Sequence, residues 1–358
     1  MFSRPVLLLT GGLFLAWSAA GCARPAGPIF NPTRTDLAWP PPPQPARIRY
    51  LGRLHSAADL HAARGPLAAL GDLAVGKKKP PELFGPRAAW CTARGDILWI
   101  ADPGGRCLHR FNLVRRTYKR LPHAGDTPFL TPVDVCQGPD DSFFVCDSEA
   151  IAIYRLDVHT GALRESLRVP TELLRPAALA YDPAARELFV VDAAAHNIEV
   201  LDAHGRLRRI LGHRGAGPGE FNYPCGIAAA GKLLWIADAG NHRIQAITPA
   251  GAPVTQFGRA GDAPGNLALP KDVALDSDGH IYVVDARFEN VQIFDATGRL
   301  LLFFGEEGSG PGEFWLPGGL FIDARDRIWL CDTYNRRVQV FQYLRRAPDE
   351  APPGGETP

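Results

Sequence analysis

The stretch "LPKDVALDSDGHIYVVDARFENVQIFDATGRLLLFFG" (residues 269–305) holds four short apolar runs, "DVAL", "HIYVV", "VQIF" and "LLLFF", set apart by turn sequences such as "DSDG" and "DATG". Apolar runs of this length bounded by Asp, Gly and Ser read as β-strands joined by tight turns, because Gly and Asp accept turn conformations that branched residues resist. The unit recurs. An aspartate closes the second run at Asp102, Asp147, Asp192, Asp238, Asp285 and Asp332, at successive intervals of 45, 45, 46, 47 and 47 residues. Six residues after each stands an aliphatic side chain (Leu108, Ile153, Ile198, Ile244, Val291, Val338), and a proline lies ahead of each unit (Pro86, Pro132, Pro176, Pro224, Pro270, Pro317). Four antiparallel strands per period of about 46 residues predict an all-β chain folded as a six-bladed β-propeller with four-stranded blades. Helical repeats of similar period are excluded, since no apolar pattern is long enough for paired helices.

A propeller must close into a ring. The sixth unit runs out after "RRVQVFQYL" (336–344) without a fourth strand, while "ARIRYLG" (46–52) matches "RLRRILG" (206–212), a fourth strand of the third unit. Residues 46–54 are therefore expected to complete the last blade as its outer strand and remove an open seam. The runs "GAGPGEF" (215–221), "GSGPGEF" (308–314) and the diverged "GDAPGNL" (261–267) each stand ahead of a repeat proline. A phosphate cradle would open a helix; these precede an innermost strand, so they read as links between blades, with Phe221 and Phe314 tucked into the joins.

The columns around "DAGNHRIQAI" (238–247) and "DTYNRRVQVF" (332–341) are similar to the NHL repeat, and this resemblance covers about 80–344. It implies the propeller fold. With the leader and closing strand, the chain resembles exported bacterial NHL-repeat proteins, most of which have no assigned activity, so the resemblance implies no specific function.

The ends are read separately. Arg4, the apolar "PVLLLTGGLFLAW" and the small-residue "SAAGC" (18–22) form an export signal over residues 1–21. "AAGC" resembles a bacterial lipobox, which implies a lipidated Cys22 holding the mature chain to a membrane outside the cytoplasm. Ala23, where a sorting aspartate is absent, implies the outer membrane; if the lipobox is not used, the chain is secreted. Residues 22–45, ending in "WPPPPQP", are expected to form an extended proline-rich linker. Residues 55–81 form a connector or lid to the propeller body (46–344), and the polar tail 345–358 is expected to be disordered. Export permits disulfides among Cys91, Cys107, Cys136, Cys146, Cys225 and Cys331. Cys136 and Cys146 flank a turn and make one geometrically allowed pair, although Cys146 and Cys331 occupy a repeat position that favours a small buried thiol.

Lys plus Arg (39) against Asp plus Glu (38) gives a net charge of +1. No global field recruits nucleic acid, and none is expected as a partner. The six repeat aspartates are expected to cap turns, and Asn241, Arg243, Asn335 and Arg337 to tie the adjoining loops. Interruptions of the repeat carry more information. Of the first two residues after each repeat proline, only Arg87, Asp134, Lys271 and Asp272 are charged, and these should ring one mouth of the central channel, either as a ligand site or as a bracing salt-bridge set. The loops after the repeat aspartates share that mouth and place Arg106, His196, His242 and Arg336 on its rim.

NHL-type propellers that act as peptide-amidating lyases carry zinc on histidines directly after repeat prolines. The corresponding residues here are Arg87, Val133, Ala177, Cys225, Lys271 and Gly318. No metal site or cofactor is therefore expected. The expected function is a lipid-anchored binding or scaffold module for a protein or small ligand, within a cell-envelope complex; the alternative is a lyase or hydrolase working at the channel mouth.

Overall fold

The computed structural model describes residues 29–30, 37–61, 82–168 and 173–345. The export signal, Cys22, most of the proline-rich segment, residues 62–81 and the tail from 346 lie outside the described residues. The chain is a six-bladed β-propeller. Innermost strands Ala88–Cys91, Pro132–Gln137, Pro176–Asp182, Pro224–Ala230, Pro270–Leu275 and Leu320–Ile322 line the axis, and each heads an antiparallel sheet. In the fifth blade, Pro270–Leu275, Ile281–Asp285, Asn290–Phe294 and Leu300–Phe304 follow one another outward, as the opening stretch predicts.

Apolar side chains fill the wedges between neighbouring sheets, so each pair of blades shares a core. Trp99 of the first blade stacks on Phe143 of the second with ring centroids 4.5 Å apart. Phe314 packs between the fifth and sixth blades with Phe304 and Phe341, and both Phe314 and Phe221 are fully buried in the joins. Burial of aromatic rings at every seam makes the ring one cooperative body rather than six separate sheets.

The last blade is assembled from both ends of the chain. Ile48–Leu54 pairs antiparallel with Arg337–Tyr343, from Ile48 opposite Tyr343 to Leu54 opposite Val338. Ile48 and Leu54 are completely buried there. The strand bulges between Tyr50 and Gly52, and Phe30 packs over Gly52, where a β-carbon would meet its ring at 3.2 Å.

One part of the proline-rich segment departs from a free linker. Ala38–Trp39 adds a fifth strand outside Ile48–Leu54. Trp39 lies against Phe304 and Phe341, at centroid distances of 5.5 and 5.8 Å. An indole loses water on packing against two phenyl rings, and that gain outweighs the preference of neighbouring prolines for a solvated extended chain.

Of the connector, Ala57–Leu60 forms a 3-10 turn capped by Ser56 and Asp59. All six cysteines of the propeller are free thiols, and Cys136 faces Phe144 across the sheet rather than Cys146.

The repeat aspartates are fully buried. Each accepts the backbone N–H of the residue two positions before its repeat proline: Phe84 (2.7 Å), Leu130 (2.8 Å), Leu174 (2.6 Å), Asn222 (2.7 Å), Ala268 (2.7 Å) and Trp315 (2.8 Å). This is the capping role expected of them, and it fixes where each incoming link turns into its blade. In the fourth and sixth blades an arginine adds a second hold. Arg243 bonds Asp238 at 2.8 Å and the carbonyls of Ala216, Gly217 and Glu220; Arg337 does the same with Asp332, Ser309, Gly310 and Glu313. The glycine-rich links are thus held by their carbonyl oxygens.

Candidate functional site

Antiparallel alternation decides which loops share a face. Innermost strands start where second strands end: Pro132 lies opposite Asp147, Pro176 opposite Asp192, Pro224 opposite Asp238 and Pro270 opposite Asp285. The links entering each blade, and the loops between second and third strands, therefore surround one mouth of the channel. All other turns lie on the opposite face.

The channel is narrow. Innermost strands of all six blades line a cavity of about 220 Å³, below the roughly 300–1,000 Å³ of pockets that enclose larger organic ligands. Two carboxylates project into it from blades three apart. Asp134 accepts the N–H of Val135 at 2.8 Å and that of Leu179, in the next blade, at 2.6 Å. Asp272 accepts Val273 N–H at 2.9 Å and Leu320 N–H, again in the next blade, at 2.9 Å. Small residues at the equivalent positions make room: a β-carbon on Gly226 would sit 2.6 Å from Asp272 Oδ1.

The four charged residues named from the sequence do not form a salt-bridge set. Arg87, Asp134 and Asp272 come within electrostatic range of one another, whereas Lys271 acts on the neighbouring Cys225. Neither Arg87 nor Lys271 makes an ion pair with a described residue. The bracing comes from backbone amides instead, each aspartate stapling its innermost strand to the next. Burial pushes both carboxyls up to about 7; the charge of Asp134 adds to the rise at Asp272, while backbone donors and Arg87 oppose it.

Stability should therefore depend on pH in a defined direction. Carboxyls titrating near 7 in the folded chain, against an ordinary value of about 3.9 in the unfolded one, bind more protons when folded between these limits. Their contribution is complete below pH of about 4 and is lost as pH rises through 7. The urea midpoint of the intact chain should fall between pH 5 and 8, with a shallower fall in the Asp134→Asn, Asp272→Asn double variant; equal slopes would contradict the assignment.

The rim residues divide into two kinds. His196 is buried, its Nδ1 accepting Tyr223 N–H at 3.0 Å, and His242 donates from Nδ1 to Ala268 carbonyl oxygen at 2.8 Å. Glu289, at the same loop position, accepts Leu316 N–H at 2.6 Å. These three tie one blade's loop to the next blade's link. Arg106 and Arg336 are exposed, and their guanidinium groups meet no described carboxylate.

A further set of mouth residues escapes attention in the sequence. Phe84, Leu174, Tyr223, Trp315 and Tyr334 are each 50–58% exposed, with Ile151 at 40%. Phe84, Leu174 and Trp315 are three of the residues whose N–H is clamped by a repeat aspartate. Trp315 lies against Tyr334 at 5.7 Å, and Tyr223 stands edge-on to His196 at 4.5 Å. These six form a collar of large apolar side chains, and buried carboxylates clamp the backbone of three of them. Part of the signal was present in the column two residues before each repeat proline, where Phe84, Leu174 and Trp315 stand.

Blade one carries another departure from the repeat. Cys107 and His109 replace the Arg and Gln of blades four and six, and His109 bonds Asp102 at 3.0 Å and Tyr118 at 2.8 Å. Cys107 lies 3.3 Å from His109, yet both side chains are completely buried, and burial pushes the thiol up to about 11. A thiol so placed is a packing element and not a nucleophile.

A family model described as "6-bladed beta-propeller" matches residues 271–344, which span the last two blades. No curated protein matches the sequence. Among solved structures, virginiamycin B lyase from Staphylococcus aureus superimposes with a TM-score of 0.54 at 16% identity, over 73% of this chain and 96% of that one. A structural genomics protein of unknown function from Bacteroides thetaiotaomicron gives 0.57 at 14% identity, over 73% and 70%. A nidogen/laminin complex gives 0.50 at 20% identity, over 61% and 79%. At these identities the likeness is one of fold alone.

Proposed function

We propose that this propeller is a binding or scaffold module of the bacterial cell envelope, anchored through a lipidated Cys22 and working through its channel-mouth face. The apolar collar carries this reading. Monomeric proteins seldom expose large apolar side chains together on one face, and Trp, Tyr and Phe are enriched where proteins bind one another. Here they surround a single mouth, and Phe84, Leu174 and Trp315 are held there by buried aspartates, so the exposure of these three is built into the fold. The lipobox-like "AAGC" and the leader support export and an outer-membrane anchor, with secretion as the outcome if Cys22 is not acylated.

Three solved structures of similar fold are lyases, one of them a catalytically inactive variant, and a partner-bound one is a nidogen/laminin complex. The binding reading is preferred because the mouth histidines, His196 and His242, spend a ring nitrogen on neighbouring backbone. Affinity capture of the anchored full chain from envelope membranes tests it. Partners recovered with the native protein should be lost with Trp315→Ala, Tyr334→Ala and retained when Arg87, Asp134, Lys271 and Asp272 are neutralised, since the axial carboxylates brace the ring. The opposite pattern would move the site from the collar to the channel.

A further inference from the structure

We infer that the outer edge of blades six and one lies against the membrane, with its cations on anionic phospholipid headgroups, so that the channel axis runs along the bilayer and the mouth opens sideways; this rests on the acylation of Cys22 proposed above. Chain length limits how far the ring can stand from its anchor. Ile29 and Phe30 pack into the wedge between the sixth and first blades, where Phe30 meets Trp329 edge-on at 5.7 Å and covers Gly52 of the closing strand. Ile29 stands seven residues after Cys22, a span of at most about 25 Å for a fully extended chain. The tether therefore joins the ring at its perimeter, beside the outer strand of blade six.

The outer strands that flank this point are basic. Cross-strand partners share one face of a sheet. Arg49 pairs with Gln342, which alternates with Val338 and Val340, and Arg120 pairs with His109, which alternates with Phe111. Val338, Val340 and Phe111 fill the wedge between blades six and one, so Arg49 and Arg120 border its outer opening. Arg53 and Lys119 lie on the other faces of the same two strands, and all four are exposed. None makes an ion pair with a described residue; Arg120 donates to Gly105 carbonyl oxygen and Cys107 Sγ, and Lys119 to Thr160 carbonyl oxygen.

The other outer strands lack such cations. In blade two Arg164 pairs with Asp157 at 2.7 Å and Glu165 with Arg155 at 2.6 Å, and in blade three Arg208 and Arg209 both pair with Glu187. Pro253–Phe257 and Leu300–Phe304 carry no charge. Among the segments that follow these strands, Arg168 stands after blade two, Arg214 shares its link with Glu220 and Arg259 with Asp262, and Glu306, Glu307 and Glu313 occupy the link into blade six. Beside the basic strands, Arg115 adds a further cation; the carboxylates there are Glu82, 4.0 Å from His55, Asp59, which accepts His55 and Ser56 N–H, and Asp126. Each Lys or Arg close to an anionic leaflet strengthens binding by roughly fivefold, within a Debye length of about 10 Å. The tether holds these strands near enough to use that attraction. Leu207, Ile210, Val254, Leu301 and Phe303 are exposed on the outer strands of blades three to five, and none borders the wedge that holds Ile29 and Phe30.

The test uses the full-length acylated chain in phosphatidylcholine vesicles with and without phosphatidylglycerol. Energy transfer is measured from a fluorescent residue at position 117, 254 or 303 to a headgroup-labelled lipid. Position 117, on the outer strand of blade one, should transfer best when phosphatidylglycerol is present. That preference should be lost at high salt and in the Arg49→Glu, Arg53→Glu, Lys119→Glu variant, and kept in Lys232→Glu of blade four, with thermal melting to check each fold. A preference that persists without phosphatidylglycerol, or in the triple variant, would show that the tether alone orients the ring and would overturn headgroup docking. Equal transfer from the three positions, or the strongest from 254 or 303, would overturn the edge-on placement. Both outcomes leave the anchor standing. Absence of an acyl label on Cys22 would overturn the anchor, and this inference with it.

Discussion

A chain beginning at residue 55 is expected to lose its single cooperative unfolding transition. The segment removed contributes Ile48, Tyr50 and Leu54, all buried, and the whole ladder that covers Arg337–Tyr343. Fully burying a large apolar side chain stabilises by about 1.5–3 kcal/mol, so three of them rival a typical total stability of about 5–15 kcal/mol. Trp39 and Phe30, which pack on the same blade, leave with it. The sixth blade would retain three strands with an open edge, and the ring could part at that seam. Loss of expression alone would not identify the cause. A synthetic peptide of residues 37–56 added to the truncated chain should therefore restore the transition, and an unchanged melting curve in the truncated chain alone would contradict the role given to this strand.

Arg337→Ala should cost about 3–5 kcal/mol, the usual penalty for leaving a buried charge without its partner. Arg337 is 2% exposed and Asp332 fully buried, with Nε to Oδ2 at 2.7 Å. The same guanidinium holds the carbonyls of Ser309, Gly310 and Glu313, so its removal also frees the link between the last two blades. Lysine should recover little, because one ammonium cannot reach four acceptors laid out for a planar fork. Chemical denaturation measures the loss, with the exposed Arg106→Ala as a control expected within about 0.5 kcal/mol of the parent. A loss below about 1 kcal/mol for Arg337→Ala would show that the links are held by other contacts.

The architecture was legible because it depends on columns repeated six times. Asp, Pro and the strand patterns each recur at the same interval, and the missing fourth strand of blade six had its match at residues 46–52. Features present once were harder to read. Trp39 stands in "WPPPP", a composition that favours an extended solvated chain, and only the cleft beside Phe304 and Phe341 shows why it packs. His196 and His242 stand in the rim column, and a sequence does not show that each ring bonds the next blade's link. Asp134 and Asp272 line the axial cavity, but their partners are backbone amides, and amides leave no mark in residue identity. The collar was readable in principle. Phe84, Leu174, Tyr223 and Trp315 lie just before repeat prolines, whereas the charged interruptions that drew attention come after them.

Site-specific photocross-linking in the anchored, full-length protein tests the mouth-face account most directly. A photoreactive residue at position 315, beside the mouth, should give a discrete adduct in envelope membranes, and one at position 299, on the opposite face, should give none. Adducts from position 299 with none from position 315 would contradict the account, because they would place the partner on the face opposite the apolar collar.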